Sequence, residues 1–170
     1  MRQNLIFSIA AAAALLLAGP SSWAEEEMNP AAMAKALPEA SVMLDQGLKA
    51  SARDGTPISA KYEIEHGALQ LSVYTMKGAQ FSEVIVDHKS GAIKKLEPIT
   101  DAGDMKAAQT QSAAMTQAKL ALDAAVDSAV KANAGYRAVS VMPALDGGRP
   151  VAAVVLMKGQ DVKKVTEKLD

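Results

Sequence analysis

Residues 73–81 read VYTMKGAQF, and residues 154–162 read VVLMKGQDV. In both places the shared Met-Lys-Gly separates stretches whose apolar residues recur at the spacing of strands. A glycine at that point supplies the positive φ that a tight hairpin turn needs. Gly78 and Gly159 are therefore read as turn glycines. Setting Met76 on Met157, an offset of 81, also lays Val73 on Val154, Phe81 on Val162 and Val84 on Val165. The tripeptide is a mark of internal register, not a ligand signature.

The flanks of the first copy give its element order. Leu44, Gly47, Leu48 and Ala52 recur at helical spacing within residues 37–53, with Ser41 as a cap and Asp54-Gly55-Thr56-Pro57 as a stop. The period then changes to two. Ile58, Ala60, Tyr62 and Ile64 alternate with polar residues, and Leu69, Leu71 and Val73 do so again after the turn at His66-Gly67. FSEVIVD, residues 81–87, makes a third strand, and AIKKLE a short fourth. The second copy follows suit: a helix over 112–132, YRAVSVMP, a turn at Asp146-Gly147-Gly148, the strand PVAAVVLM, and a final strand near 162–165. PVAAVVLM is apolar on both faces and is expected centrally in a covered sheet. The expectation is an α+β protein of two repeats, each one helix packed on a three- to four-stranded antiparallel meander sheet.

The domain plan follows from the ends inward. Arg2, the apolar run LIFSIAAAAALLLAG, Pro20 and the small-residue site Ser22-Trp23-Ala24 read as a secretory signal peptide over residues 1–24. Residues 25–36 are a flexible leader, 37–97 the first unit, 98–111 a linker of turn formers and polar residues, and 112–170 the second unit. Such a chain is periplasmic or secreted. With no cysteine it has neither disulfides, thiol catalysis nor a lipid anchor site. No second apolar run approaches membrane length, so no membrane span is expected after signal cleavage. Loss of Arg2 takes the net charge from -1 to -2, and aromatics make up 4% of the chain. Neither a basic stripe nor a stacking platform is present, which argues against nucleic acid as a partner.

EVIVDHKSGAIKKL, Glu83 to Leu96, resembles the end of a PepSY domain: an apolar strand, an Asp, a short gap, Ser or Thr, Gly and a further short strand. Asp87, Ser90 and Gly91 stand at the motif positions. The second unit shares the layout but is degenerate, with Lys168 where Asp87 would map and no Gly turn after it. The resemblance implies an exported, non-catalytic module, of the kind that accompanies secreted metallopeptidases and is proposed to restrain peptidase activity.

The chemistry inventory agrees with a non-enzyme. The two histidines lie in no His-Glu-x-x-His helix, and there is no Gly-x-Ser-x-Gly elbow and no phosphate-cradling Gly loop. Glu63 and Glu65 share a strand face, which is also how a solvated face looks. His66 and His88 fall at one end of a meander, with Asp87 as a third weak candidate metal ligand. The simpler reading is a turn residue and a solvated neighbour of a structural Asp, and no cofactor is expected. The eight methionines left after cleavage invite copper, whose preferred ligands include thioethers, but they are scattered and read as core filler. The expected function is binding, or restraining, a protein or peptide partner such as a peptidase. The partner would use an exposed sheet edge or a groove between units. A metal or small-ligand binding protein and a structural or envelope-stress protein are the alternatives.

Overall fold

The computed structural model describes residues 28–170. The signal-peptide reading and the first residues of the leader lie outside them. Four helices, α1 (Pro30–Ala36), α2 (Leu44–Ser51), α3 (Ala102–Gln117) and α4 (Leu122–Ala132), accompany seven strands. These are β1 (Thr56–Glu65), β2 (Ala68–Lys77), β3 (Gln80–Val86), β4 (Ile93–Pro98), β5 (Arg137–Asp146), β6 (Arg149–Lys158) and β7 (Asp161–Lys168).

All seven strands form one antiparallel sheet in the order β4-β3-β2-β1-β5-β6-β7. The expected two repeats, each with its own small sheet, are therefore corrected. β1 pairs with β5 through Ala60↔Val141 and Lys61↔Ser140. Left apart, β1 and β5 would each present an unpaired backbone edge. Joined, they let α2 pack on α4, and Leu44, Leu48, Leu122, Val126 and Ala129 enter a single core with strands of both halves.

Alternation along each strand separates two faces. Ala60 opposes Val73 and Tyr62 opposes Leu71, while Val73 and Leu71 oppose Val84 and Val86. These side chains are buried beneath α2 and α4, together with Val141, Val154 and Leu156. Burying a side chain the size of Leu71 stabilises by about 1.5–3 kcal/mol. Ser72, Tyr74, Met76 and Glu83 point to the opposite face. α3 crosses that face as a strap, touching β1, β5 and β6 and packing Met105 and Ala108 into a second cluster with Ile58, Tyr74 and Ile99. β6 lies next to the edge strand β7. Ala152, Val154 and Leu156 are buried on its helical side, whereas Ala153 is exposed on the strap side, so its second face is only partly covered.

Four further segments differ from expectation. Residues 30–36 of the leader are helical, because Asn29 Oδ1 accepts from Ala31 N and Ala32 N, both at 3.1 Å, and Pro30 opens the first turn. Met33 anchors that helix in the core at 1% exposure. The single helix over 37–53 is broken: a 3-10 turn at Leu37–Glu39 leads into extended backbone at Ala40, and α2 starts at Leu44, with Gln46 rather than Ser41 bonding the entry N–H, from Met43 at 2.8 Å. The linker over 98–111 holds the start of α3, whose cap Asp101 accepts from Gly103 N at 2.7 Å and Asp104 N at 3.1 Å. The helix read over 112–132 is divided at Ala118, where Lys119 N and Leu120 N donate to Leu169 O at 2.6 and 3.0 Å. There the chain passes from the strap face to the helical face.

Candidate functional site

Gly78 and Gly159 have φ of +62 and +59, and each is followed by a residue without positive φ, so each opens a two-residue turn with the strained position first. Both lie in open space and contact nothing that suggests a ligand.

The Asp87 turn is closed on itself. Asp87 Oδ1 accepts from Lys89 N at 3.0 Å, Ser90 N at 2.7 Å and Ser90 Oγ at 3.0 Å, while Lys94 Nζ lies 2.8 Å from Oδ2. The Lys94 ammonium, then the Ser90 backbone and hydroxyl, hold the carboxyl well below the usual carboxylate range. Gly91 takes φ +77 and donates its N–H to Asp87 O at 2.8 Å. The turn docks on the segment before α2, where Val42 N donates to His88 O at 3.0 Å. Its carboxylate oxygens are committed to the hairpin.

His66, in the β1–β2 turn, and His88, just after β3, stand at one end of the sheet in different surroundings. The His66 side chain is 90% exposed, with Nδ1 3.0 Å from Glu65. His88 Nε2 is buried and has no hydrogen-bond partner among the described residues. Among those residues, no group of three His, Asp or Glu side chains is placed to hold a metal ion.

A polar constellation lies instead on the strap face. Lys61 Nζ sits 2.5 Å from Glu63 Oε2, and Glu63 Oε1 accepts from Ser72 Oγ at 2.6 Å and Gln70 Nε2 at 3.2 Å. Glu83 joins from β3, and α3 adds Asp104 beside Tyr74. Burial pushes the Glu83 carboxyl up, a hydrogen bond from Ser72 opposes this, and the Glu63 and Asp104 charges reinforce it. Burial, then Asp104 and Glu83, push the Tyr74 phenol up, so it stays protonated as a donor. Ile85 and Lys95 continue this strip toward the sheet edge, opposite one another across β3 and β4. The sequence does not announce the cluster, because its members come from β1, β2, β3 and α3 and meet only once the register is fixed. Period-two alternation does assign Lys61 and Glu63 to one face.

A small apolar cleft of about 130 Å³ opens between α2, α4 and the start of β1, lined by Leu48, Ala52, Pro57, Met115 and Leu122 with Lys49 and Asp123. Small-molecule pockets run to roughly 300–1,000 Å³, so this one admits a single side chain at most. Both sheet edges are rich in lysine, with Lys94 and Lys95 on β4 and Lys163, Lys164 and Lys168 on β7, which opposes strand addition. Among the described residues, no helix is long and apolar enough to cross a membrane.

No protein-family model matches this chain, and neither a curated protein nor a solved structure matches it.

Proposed function

We propose that the protein is an exported, non-enzymatic binding module that holds a protein or peptide partner and, in the manner the PepSY resemblance implies, restrains a peptidase. The observation that carries this reading is the partly exposed strip beyond α3, where Lys61, Glu63, Gln70, Glu83 and Ile85, tied together over the buried Ser72, offer fixed charges and an apolar residue on a sheet face. The lysine-bearing edges turn a partner away from strand addition. With both halves in one sheet, the cleft between α2 and α4 is too small to seat more than a single side chain. The face is the surface left to offer.

The strip also has a preferred chemistry. Glu83 is held in its charged form at a disadvantage by burial and by Glu63 and Asp104. A lysine or arginine from the partner relieves that disadvantage on arrival. The metal reading gains no support, since Asp87 is committed to its turn and to Lys94.

The test compares the mature protein with a Glu83→Arg/Ile85→Asp variant as baits in the extracytoplasmic fraction of cells that export it. The reading expects one partner retained by the first and lost by the second, with matching circular dichroism, and a lowered activity when that partner is a peptidase. Equal retention by both, or retention of nothing by either, refutes it.

A further inference from the structure

Methionines scattered along the sequence come together under the strap. Met76 of β2 and Met105 and Met115 of α3 all pack against the cluster of Ile58, Tyr74, Ile99 and Ala108, and Met115 also reaches the main core beside the α2–α4 cleft. The buried residues of α3 itself are Ala107, Ala108, Gln111 and Ala114, so its larger apolar anchors are these methionines. The hold is weak elsewhere too, because Gln111 is 5% exposed and its Oε1 has no donor among the described residues. Ser112 Oγ donates to Met76 Sδ at 2.8 Å, and all three methionines are half-buried, within reach of solvent. Met33 and Met157, by contrast, are sealed in the main core at 1% and 2% exposure. A shared soft metal ion does not explain the grouping, since ten residues of α-helix separate Met105 from Met115 by about 15 Å.

We propose that Met76, Met105 and Met115 are a modification site for two-electron oxygen-donating oxidants, such as hydrogen peroxide, and that their oxidation loosens α3 from the sheet. A thioether lone pair attacks a peroxide oxygen, a sulfur–oxygen bond forms as the oxygen–oxygen bond breaks, and water leaves. Sulfur is oxidised by two electrons and the peroxide is reduced by two. The product sulfoxide is polar where an apolar anchor stood. It must either bury an unpaired acceptor among Ile58, Tyr74 and Ile99 or turn outward and take the helix with it. The strap stays tethered, because Ile99 N donates to Phe81 O at one end and Lys119 and Leu120 donate to Leu169 O at the other. In a chain without cysteine, sulfur chemistry belongs to methionine alone. The inference rests on the packing of α3 and not on the proposed partner.

The experiment treats the mature protein with hydrogen peroxide, maps sulfoxides by peptide mass spectrometry and follows hydrogen exchange. The expected result is sulfoxide at positions 76, 105 and 115 before 33 and 157, with exchange across α3 faster by about tenfold or more and β1–β2 unchanged. Methionine sulfoxide reductases restore the slow exchange, and a Met76→Leu/Met105→Leu/Met115→Leu variant keeps it under peroxide. Met43, 46% exposed and away from the strap, oxidises without effect. Sulfoxides at all three positions with unchanged α3 exchange overturn the proposal, as do reaction no faster than at Met33 and Met157, or loss of protection throughout the sheet. Because the reductase step uses the natural sequence, the proposal stays testable if the triple variant does not fold.

Discussion

Removing the Arg137 guanidinium probes what bends the chain into α2. Its Nη1 donates to Leu37 O at 3.2 Å and Ala40 O at 2.8 Å, and its Nη2 to Val42 O at 2.6 Å and the Tyr62 hydroxyl at 3.2 Å. The same group lies 5.4 Å from the centre of the Tyr62 ring. Arg137→Met preserves most of the apolar stem and deletes the fork. Leu37 O keeps Ala40 N at 3.1 Å, and Val42 O keeps the Tyr62 hydroxyl, so Ala40 O is the carbonyl that suffers most. One orphaned carbonyl costs about 1–3 kcal/mol, and losing the cation over the ring about 0.5–2 kcal/mol more. The expected loss is about 3 kcal/mol, or a melting point lower by roughly 6–12 °C for a domain of this size. Urea denaturation with a constant m-value measures it, and hydrogen exchange is expected to show residues 37–43 opening first. Arg137→Lys keeps the charge without the planar fork and falls between the two. A loss below about 0.5 kcal/mol for Arg137→Met, smaller than one typical hydrogen bond, would refute the reasoning.

Three other substitutions test the packing and the charges. A Cβ on Gly47 would lie 2.6 Å from Leu71 Cδ2 and 3.3 Å from its Cγ, and Leu71 is fully buried, so Gly47→Ala is expected to destabilise by ~1 kcal/mol despite the better helix former; Leu71→Val in the same chain recovers part of the loss in thermal melts. Asp87 ionises more easily folded than unfolded, so its contribution is present above its ordinary pKa of 3.8 and lost as the pH falls further; Asp87→Asn lowers the melting point at pH 7 and flattens its acid limb. Glu83 behaves oppositely. Its raised folded pKa imposes a penalty at neutral pH that lifts as the pH falls toward its ordinary 4.5, so Glu83→Gln melts higher than the natural chain at pH 7, and the gap closes near pH 4 in melts across that range.

What could be read from the sequence is local. A hairpin that needs positive φ writes the need into its turn, as at His66 with φ 49, Gly67 with φ 80, Gly78 and Gly159. Strands with one buried face declare it by alternation, as Ala60, Tyr62, Leu69, Leu71 and Val73 do, although Ile58, before a register shift, joins the second cluster and Ile64 is 37% exposed. What could not be read depends on distant partners. The chain leaves the helical region at Ala40 and bends at Val42 where Arg137, some 95 positions later, takes the carbonyls of both. α3 buries chiefly alanine, so no stripe of large residues marks it, and its turn-forming start hides its cap. The β1–β5 seam rests on backbone pairing at Ala60 and Lys61, which side-chain period does not encode. The candidate strip escapes notice for the same reason, since Glu63 and Glu83 lie on strands that are not adjacent.

The central claim is that a partner docks on the half-exposed strap face. Its most direct measurement places a photo-crosslinking residue, in exporting cells, at Ile85 and Lys95 on that face and at Lys131 on the outer side of α4, where the side chain is 74% exposed. The account predicts one discrete adduct from positions 85 and 95, lost with Glu83→Arg, and none from 131. Adducts of equal yield at all three positions, or at 131 alone, would contradict it.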